Sequence, residues 1–166
     1  MDHVLSTARL KLTPLAGEDL ADLRAHWRDA QVRRFLFDDE VLNEEDIVET
    51  LAVSERDFAA HGYGLWMVRT QDADSLVGTV GLRPLSSLGI EVTYSLSPSA
   101  WGCGYATEMA RAVVDHGLTT VGLSRVLAEV DEGNAASRHV IEKLGMEPFE
   151  TVQGVLGPMI RYRTRR

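Results

Sequence analysis

A single cysteine, Cys103, is all the thiol this 166-residue chain has. One thiol cannot close an internal disulfide or supply a multi-cysteine metal site. The five histidines, His3, His26, His61, His116 and His139, fall into no metal-ligand spacing such as H-E-x-x-H, so no metal is expected. No apolar run approaches the roughly 20 residues that span a bilayer, and Met1–Arg9 has no leader pattern. A reducing, cytoplasmic setting with no membrane partner is therefore expected. Positive charge is also scarce: 17 Lys and Arg against 25 Asp and Glu give a net charge of −8, which argues against nucleic acid as a partner. That balance suits a cationic substrate, and equally an acidic protein kept soluble by its charge.

What is present is ordinary globular material, 45% hydrophobic and 25% charged. No repeat, low-complexity tract or linker interrupts it, so residues 1–166 are expected to form one domain with a proper core. "ARLKLTPL" alternates Leu10 and Leu12 with polar neighbours and predicts a first strand ending at Pro14. Leu20, Leu23 and Trp27 recur at helical spacing. A second helix is expected from Asn43, an N-cap followed by Glu44, Glu45 and Asp46, with Ile47, Leu51 and Phe58 on its apolar face. Strands are expected at 65–70, 76–84 and 90–98, joined by spacers short enough for hairpins. Trp27, Trp66 and Met67 are assigned to the core.

The stretch "WGCGYATEMARAVVDHGL" (101–118) then opens an amphipathic helix whose inner face carries Ala106, Met109, Ala110 and Val113. "RVLAEVD" (125–131) reads as a strand, "NAASRHVIEKLG" (134–145) as a helix capped by Asn134, and "MIRYRT" as a closing strand. The passage from Ile90 to Asp131 is strand, helix, strand, so those two strands are expected to be parallel neighbours. The result is an α+β domain: a mixed, mainly antiparallel sheet with a central parallel pair, flanked by helices.

Gly102-x-Gly104 before a helix has two readings. Helix starts leave N–H groups without partners, and small residues let an anion approach them; a tight turn needs glycine for its backbone freedom alone. Spacing does not separate the two. Thr107 stands where G-x-G-x-x-G would have its third glycine, and no P-loop is present, which disfavours a nucleotide-binding module.

Taken together, "IEVTYSLSPSAWGCGYATE" and "NAASRHVIEKLGM" resemble the GNAT superfamily of acyl-CoA-dependent N-acetyltransferases. Trp101 to Ala106 stand at that family's Q/R-x-x-G-x-G/A pyrophosphate motif. The opening "ARLKLTPLAGEDLADL" and "RFLFDDE" look like the branch that acetylates ribosomal-protein N-termini and related amines. The resemblance implies a splay between the central parallel strands, filled by the pantetheine arm of acetyl-CoA. It implies cofactor contacts from Ser95, Leu96, Trp101, Gly102, Cys103, Gly104, Tyr105, Ala106, Thr107, Asn134 and Ser137. An amide N–H near Ser95 or Leu96 would stabilise the oxyanion. Glu91 is the expected base, acting directly or through water, and Ser137 the expected hydrogen-bond donor to the leaving sulfur.

The alternatives are local. Glu91 can be a surface strand residue, Ser137 a helix-start residue and Asn134 only a cap. Trp101 replaces the family's Gln or Arg, and Ile141 stands where many members carry a general-acid tyrosine. Cys103 reads as a small filler with no partner base. Asp38, Asp39 and Glu40 can attract a cation or simply be solvated.

The reaction implied is direct attack of a neutral amine on the thioester. Neutralising an α-amino group at pH 7 costs about 1 kcal/mol, against about 4–5 kcal/mol for a lysine side chain. A peptide or protein N-terminus, or a small amine, is therefore the expected acceptor. The competing reading is a non-catalytic acyl-CoA-binding or sensor domain. A homodimer is left open.

Overall fold

The computed structural model describes residues 3–38 and 40–165, with Phe35 described by its backbone only. Its strands are β1 (Leu5–Ser6), β2 (Leu10–Pro14), β3 (Leu65–Thr70), β4 (Leu76–Leu85), β5 (Gly89–Leu96), β6 (Leu127–Asp131), β7 (Glu147–Gly154) and β8 (Gly157–Arg163). The helices are α1 (Leu20–Arg28), α2 (Ala30–Leu36), α3 (Glu44–His61), α4 (Tyr105–Asp115) and α5 (Ala135–Lys143). All strands join one sheet in the order β1-β2-β3-β4-β5-β6-β8-β7. Every neighbouring pair is antiparallel except β5 and β6. The expected α+β architecture with a central parallel pair is what the chain forms.

Side-chain caps start three of the helices. Asp29 accepts from the Gln31 and Val32 amides, Asn43 from that of Asp46 and Asn134 from that of Ser137. Such caps each contribute about 1 kcal/mol. Asp29 also ends α1 in an extended conformation, which divides the early helical stretch into α1 and α2. Helical spacing alone does not separate α2, and sequence pattern alone does not mark β1, β7 or the π-helical turn that prolongs α4 through His116–Val121. Pro148 and a poor alternation in "EPFETVQG" conceal β7, which exists because β8 pairs with it over most of its length.

Two apolar layers hold helices to the sheet. Met109 and Val113 of α4 and Ile141 of α5 pack on Val80, Val92 and Tyr162. On the other face Leu23 and Trp27 of α1, Val32 of α2 and Ile47 of α3 pack with Met67. Trp27, Trp66 and Met67 are core residues as expected, each at most 3% exposed.

A buried polar chain crosses this second layer. His26 Nε2 lies 2.8 Å from Ser95 Oγ, which lies 2.7 Å from Thr79 Oγ1. It ties α1 to β5 and β4. Burial pushes the His26 imidazole down to about 4, against a smaller opposing pull from Asp29. The folded state therefore binds fewer protons at His26 than the unfolded chain between about pH 6.5 and 4. Its share of stability is intact above pH 6.5 and is lost as pH falls through that window, on the order of 3 kcal/mol in all. Denaturant unfolding at pH 7 and pH 4.5 checks this: His26→Gln should lose less stability between the two than the parent protein does.

Candidate active site

The sheet opens at its centre. β5 and β6 share one bridging pair, Glu91 with Leu127, and then part. The Ser97 N–H donates to the Val77 carbonyl at 2.8 Å. By the alternation of an antiparallel ladder, odd-numbered residues of β5 then turn their backbone groups to β4 and even-numbered ones to β6. Tyr94 and Leu96 thus present amides to the opening with no strand beside them. Ser95 does not: its backbone pairs with Thr79, and its hydroxyl is spent on His26 and Thr79. The expectation of an oxyanion donor or cofactor contact at Ser95 is corrected on this ground. Leu96 keeps an inward amide, and the deeper one belongs to Tyr94.

Side chains alternate as the backbone does, so Glu91 and Tyr94, three residues apart, lie on opposite faces. A cavity of about 390 Å³ passes between them. Tyr94, Asn134, Ser137 and Ile141 line it on the α5 side; Glu91, Arg83, Leu36 and Asp38 line it on the α2 side. Tyr94 was not singled out from sequence. The signal was available, because an odd offset from a strand glutamate sets the two residues on either side of a gap.

On the α5 side the Tyr94 hydroxyl sits 2.6 Å from Ser137 Oγ and 3.2 Å from the Ser137 carbonyl. Burial pushes the Tyr94 phenol up to about 12, opposed by the hydrogen bond from Ser137. Ser137 is more than a helix-start residue, since its hydroxyl belongs to this pair. Asn134 caps α5 through its side-chain Oδ1, and its side-chain Nδ2 meets no described residue. Ile141 is fully buried, an apolar part of the cavity wall beside Ser137.

Across the gap Glu91 is 6% exposed, and its carboxylate meets Arg83 Nε at 3.4 Å. Burial holds the carboxyl above its ordinary range; Arg83 pulls it down and Glu129 adds to the rise. It is not a solvated surface residue. A carboxylate raised in this way is better matched to taking a proton near neutrality.

Beyond the end of β5 the chain turns into α4, and here no side-chain cap is found. Gly104 is the N-cap, at φ 80°, and Gly102 has φ 77°, both left-handed. No amide N–H from Gly102 to Thr107 has a protein acceptor among the described residues. A Cβ at Gly102 would meet nothing within 4 Å. This is a bare concavity of donors at a helix start, the arrangement that suits a diphosphate.

Its outer wall is braced. Arg9 donates to Glu108 at 2.8 Å and to the Cys103 carbonyl at 2.8 Å, and its guanidinium lies 4.4 Å over the Tyr105 ring. Thr7 hydrogen-bonds the same glutamate. Trp101, half exposed, donates its indole N–H to the Leu96 carbonyl at 3.2 Å and so covers the end of β5. Cys103 is exposed, and its thiol lies 3.6 Å from the Trp101 carbonyl. Ala106 and Thr107 fill the first turn of α4. Of the acidic loop, Asp38 reaches the cavity, Glu40 does not line it, and Asp39 lies outside the described residues.

The acetyltransferase (GNAT) domain family matches residues 9–147. The chain belongs to the GNAT acetyltransferase family. It is 29% identical over 153 residues to the uncharacterized N-acetyltransferase YoaA of Bacillus subtilis, covering 89% of this chain and 84% of that one. The spermidine N(1)-acetyltransferase of Escherichia coli K12 is 26% identical over 142 residues, covering 84% and 74%. In three dimensions the chain superposes on an acetyltransferase from Agrobacterium tumefaciens with a TM-score of 0.84 at 22% identity, covering 98% and 94%. This GNAT chain keeps the same fold as that structure over nearly its whole length. Among the described residues no cluster of metal-ligating side chains occurs and no helix is long and apolar enough to cross a membrane.

The cradle is testable without turnover. Asn and Asp both tolerate left-handed backbone, so Gly102→Asn and Gly102→Asp differ chiefly in charge. Calorimetry with coenzyme A should show at least a tenfold weaker Kd for Gly102→Asp than for Gly102→Asn.

Proposed function

We propose that this GNAT chain, acting as one domain over residues 1–166, transfers the acetyl group of acetyl-CoA to a primary amine by direct attack on the thioester. The acceptor is a peptide N-terminal amine or a small amine. The observation that carries this reading is the opening between β5 and β6, walled by a buried carboxylate on one face and a hydroxyl pair on the other.

The chain's own groups divide the work. Gly102 to Thr107 hold the diphosphate of coenzyme A with backbone N–H groups. The inward edge of Tyr94 and Leu96 takes the place of a strand partner for the amide-bearing arm, a form of strand addition, and the free Asn134 amide donates to a carbonyl of that arm. The Tyr94 N–H is placed to stabilise the oxyanion. Glu91, on the opposite face, takes the proton of the attacking amine, while Arg83 keeps its carboxylate charged. Ser137, held by Tyr94, donates to the departing sulfur. A thiol with pKa about 8.5 needs little help to leave, which is how the protein works with Ile141 in place of a tyrosine. The likeness to a spermidine acetyltransferase supports a small-amine acceptor, and the "ARLKLTPL" opening supports the N-terminal one.

The competing reading, a binding or sensor domain, differs in one measurable respect. Free-thiol release from acetyl-CoA should appear with members of an amine panel; tight binding with no turnover on any of them would establish the sensor instead. Glu91→Gln should lower kcat by at least about tenfold, at the low side of general-base effects, with acetyl-CoA affinity kept. Because burial raises the Glu91 carboxyl, the parent rate should fall on the acid side at a pH above the ordinary carboxylate range. An unchanged acid limb in Glu91→Gln would remove Glu91 from the role of base.

A further inference from the structure

The α2 side of the cavity carries more negative charge than its cations satisfy. Glu91, Glu129 and Asp131 share this face of the sheet, and Asp38 adds a carboxylate from the end of α2. Two arginines line the same region, and both are committed: Arg83 to Glu91 at 3.4 Å, Arg161 to Glu129 and Glu150 at 2.9 Å each. Asp131 and Asp38 are left. Neither makes an ion pair or a side-chain hydrogen bond with a described residue.

Asp131 decides the matter, because it is not a solvated carboxylate. It is 5% exposed, it lines the cavity, and its buried Oδ1 has no hydrogen-bond partner. Buried carboxylates are strongly disfavoured unless paired. Burial, Asp38 and then Glu129 all push its carboxyl upward, and no cation opposes them. Protonation would remove the charge and still leave Oδ1 without a donor. A cationic N–H group supplied by a ligand answers both needs at once.

Resting on the amine-acetyltransferase reading above, we propose that Asp131 and Asp38 bind a second positively charged group of the acceptor, so that its preferred acceptors are dications. The reacting amine lies at Glu91 and an ammonium or guanidinium at the aspartates. Leu127 is beside Glu91 and Asp131 is four residues further along β6, about 13 Å at strand rise. Allowing for the side chains, the two charges stand on the order of 10 Å apart. A flexible α,ω-diamine supplies this, and so does a peptide whose second residue is lysine.

The two sources separate in one assay. Thiol release from acetyl-CoA is measured for diamines of four to ten carbons against the matching monoamines, and for Ala-Lys against Ala-norleucine peptides. Thermal shifts of the coenzyme A-loaded protein are recorded with the same compounds. A diamine should exceed its monoamine at least tenfold in kcat/KM in one length range, or the lysine peptide should exceed its partner; the arm that responds names the source. In Asp131→Asn that ratio should fall at least tenfold, and Asp38→Asn, on another element, should lower it too. The charge-dependent thermal shift should vanish with it. Equal kcat/KM for dication and monocation in both arms overturns the proposal, as does a ratio kept in both variants. If no amine is acetylated, the transferase reading fails on its own, and the thermal shifts still decide whether the aspartates take a second charge.

Discussion

A sheet is most stable when every backbone group along its middle is paired, and this one leaves its middle unpaired. β5 and β6 touch at Glu91 and Leu127 and separate beyond. Buried N–H and C=O groups without partners are costly, so the opening persists only because the flanking pairs are long and regular. β4 with β5 and β6 with β8 run without a register shift. The helices are fixed by separate apolar layers on either face, so neither has to close the gap. Strand alternation then assigns the chemistry: hydroxyls face α5, carboxylates face α2, and backbone donors lie between them.

The cradle shows the same economy. The chain carries a net charge of −8, yet in the proposed anion site the donors among the described residues are backbone N–H groups rather than cationic side chains. Partial charges of unpaired amides at the start of α4 supply the attraction. Arg9 is close by but is spent on Glu108 and the Cys103 carbonyl, bracing the loop from behind. Elsewhere α2, α3 and α5 begin under Asp or Asn caps; α4 alone among them begins under glycine, where a side-chain oxygen would compete with the ligand.

Much of this was legible. Alternation, helical spacing and cap residues place β2 to β6, α1, α3, α4 and α5, and the order strand, helix, strand dictates the parallel pair. Cues that depend on partners were not. β7 is a strand because β8 lies beside it, and α2 is separate from α1 because Asp29 turns the chain and caps the second helix. Ser95 was misread because composition says nothing about which way an amide points; one ladder hydrogen bond, from Ser97 to Val77, sets the parity for the strand. Asp131 reads as the last polar residue of a strand until the fold buries it beside Asp38. Glu91 and Ser137 could be named from the family likeness, but their surroundings, a raised carboxyl and a phenol–hydroxyl pair, exist only once the chain is folded.

The passage through the sheet has a consequence for how this protein can change over time. Its walls come from different stretches of chain: Asn134 and the start of α5 on one side, the end of α2 on the other, with the β7–β8 hairpin also lining it. Residues on the α2 side can drift and admit a new guest without touching those on the α5 side. A lineage with this layout can diversify in what it modifies and stay conservative in what it consumes.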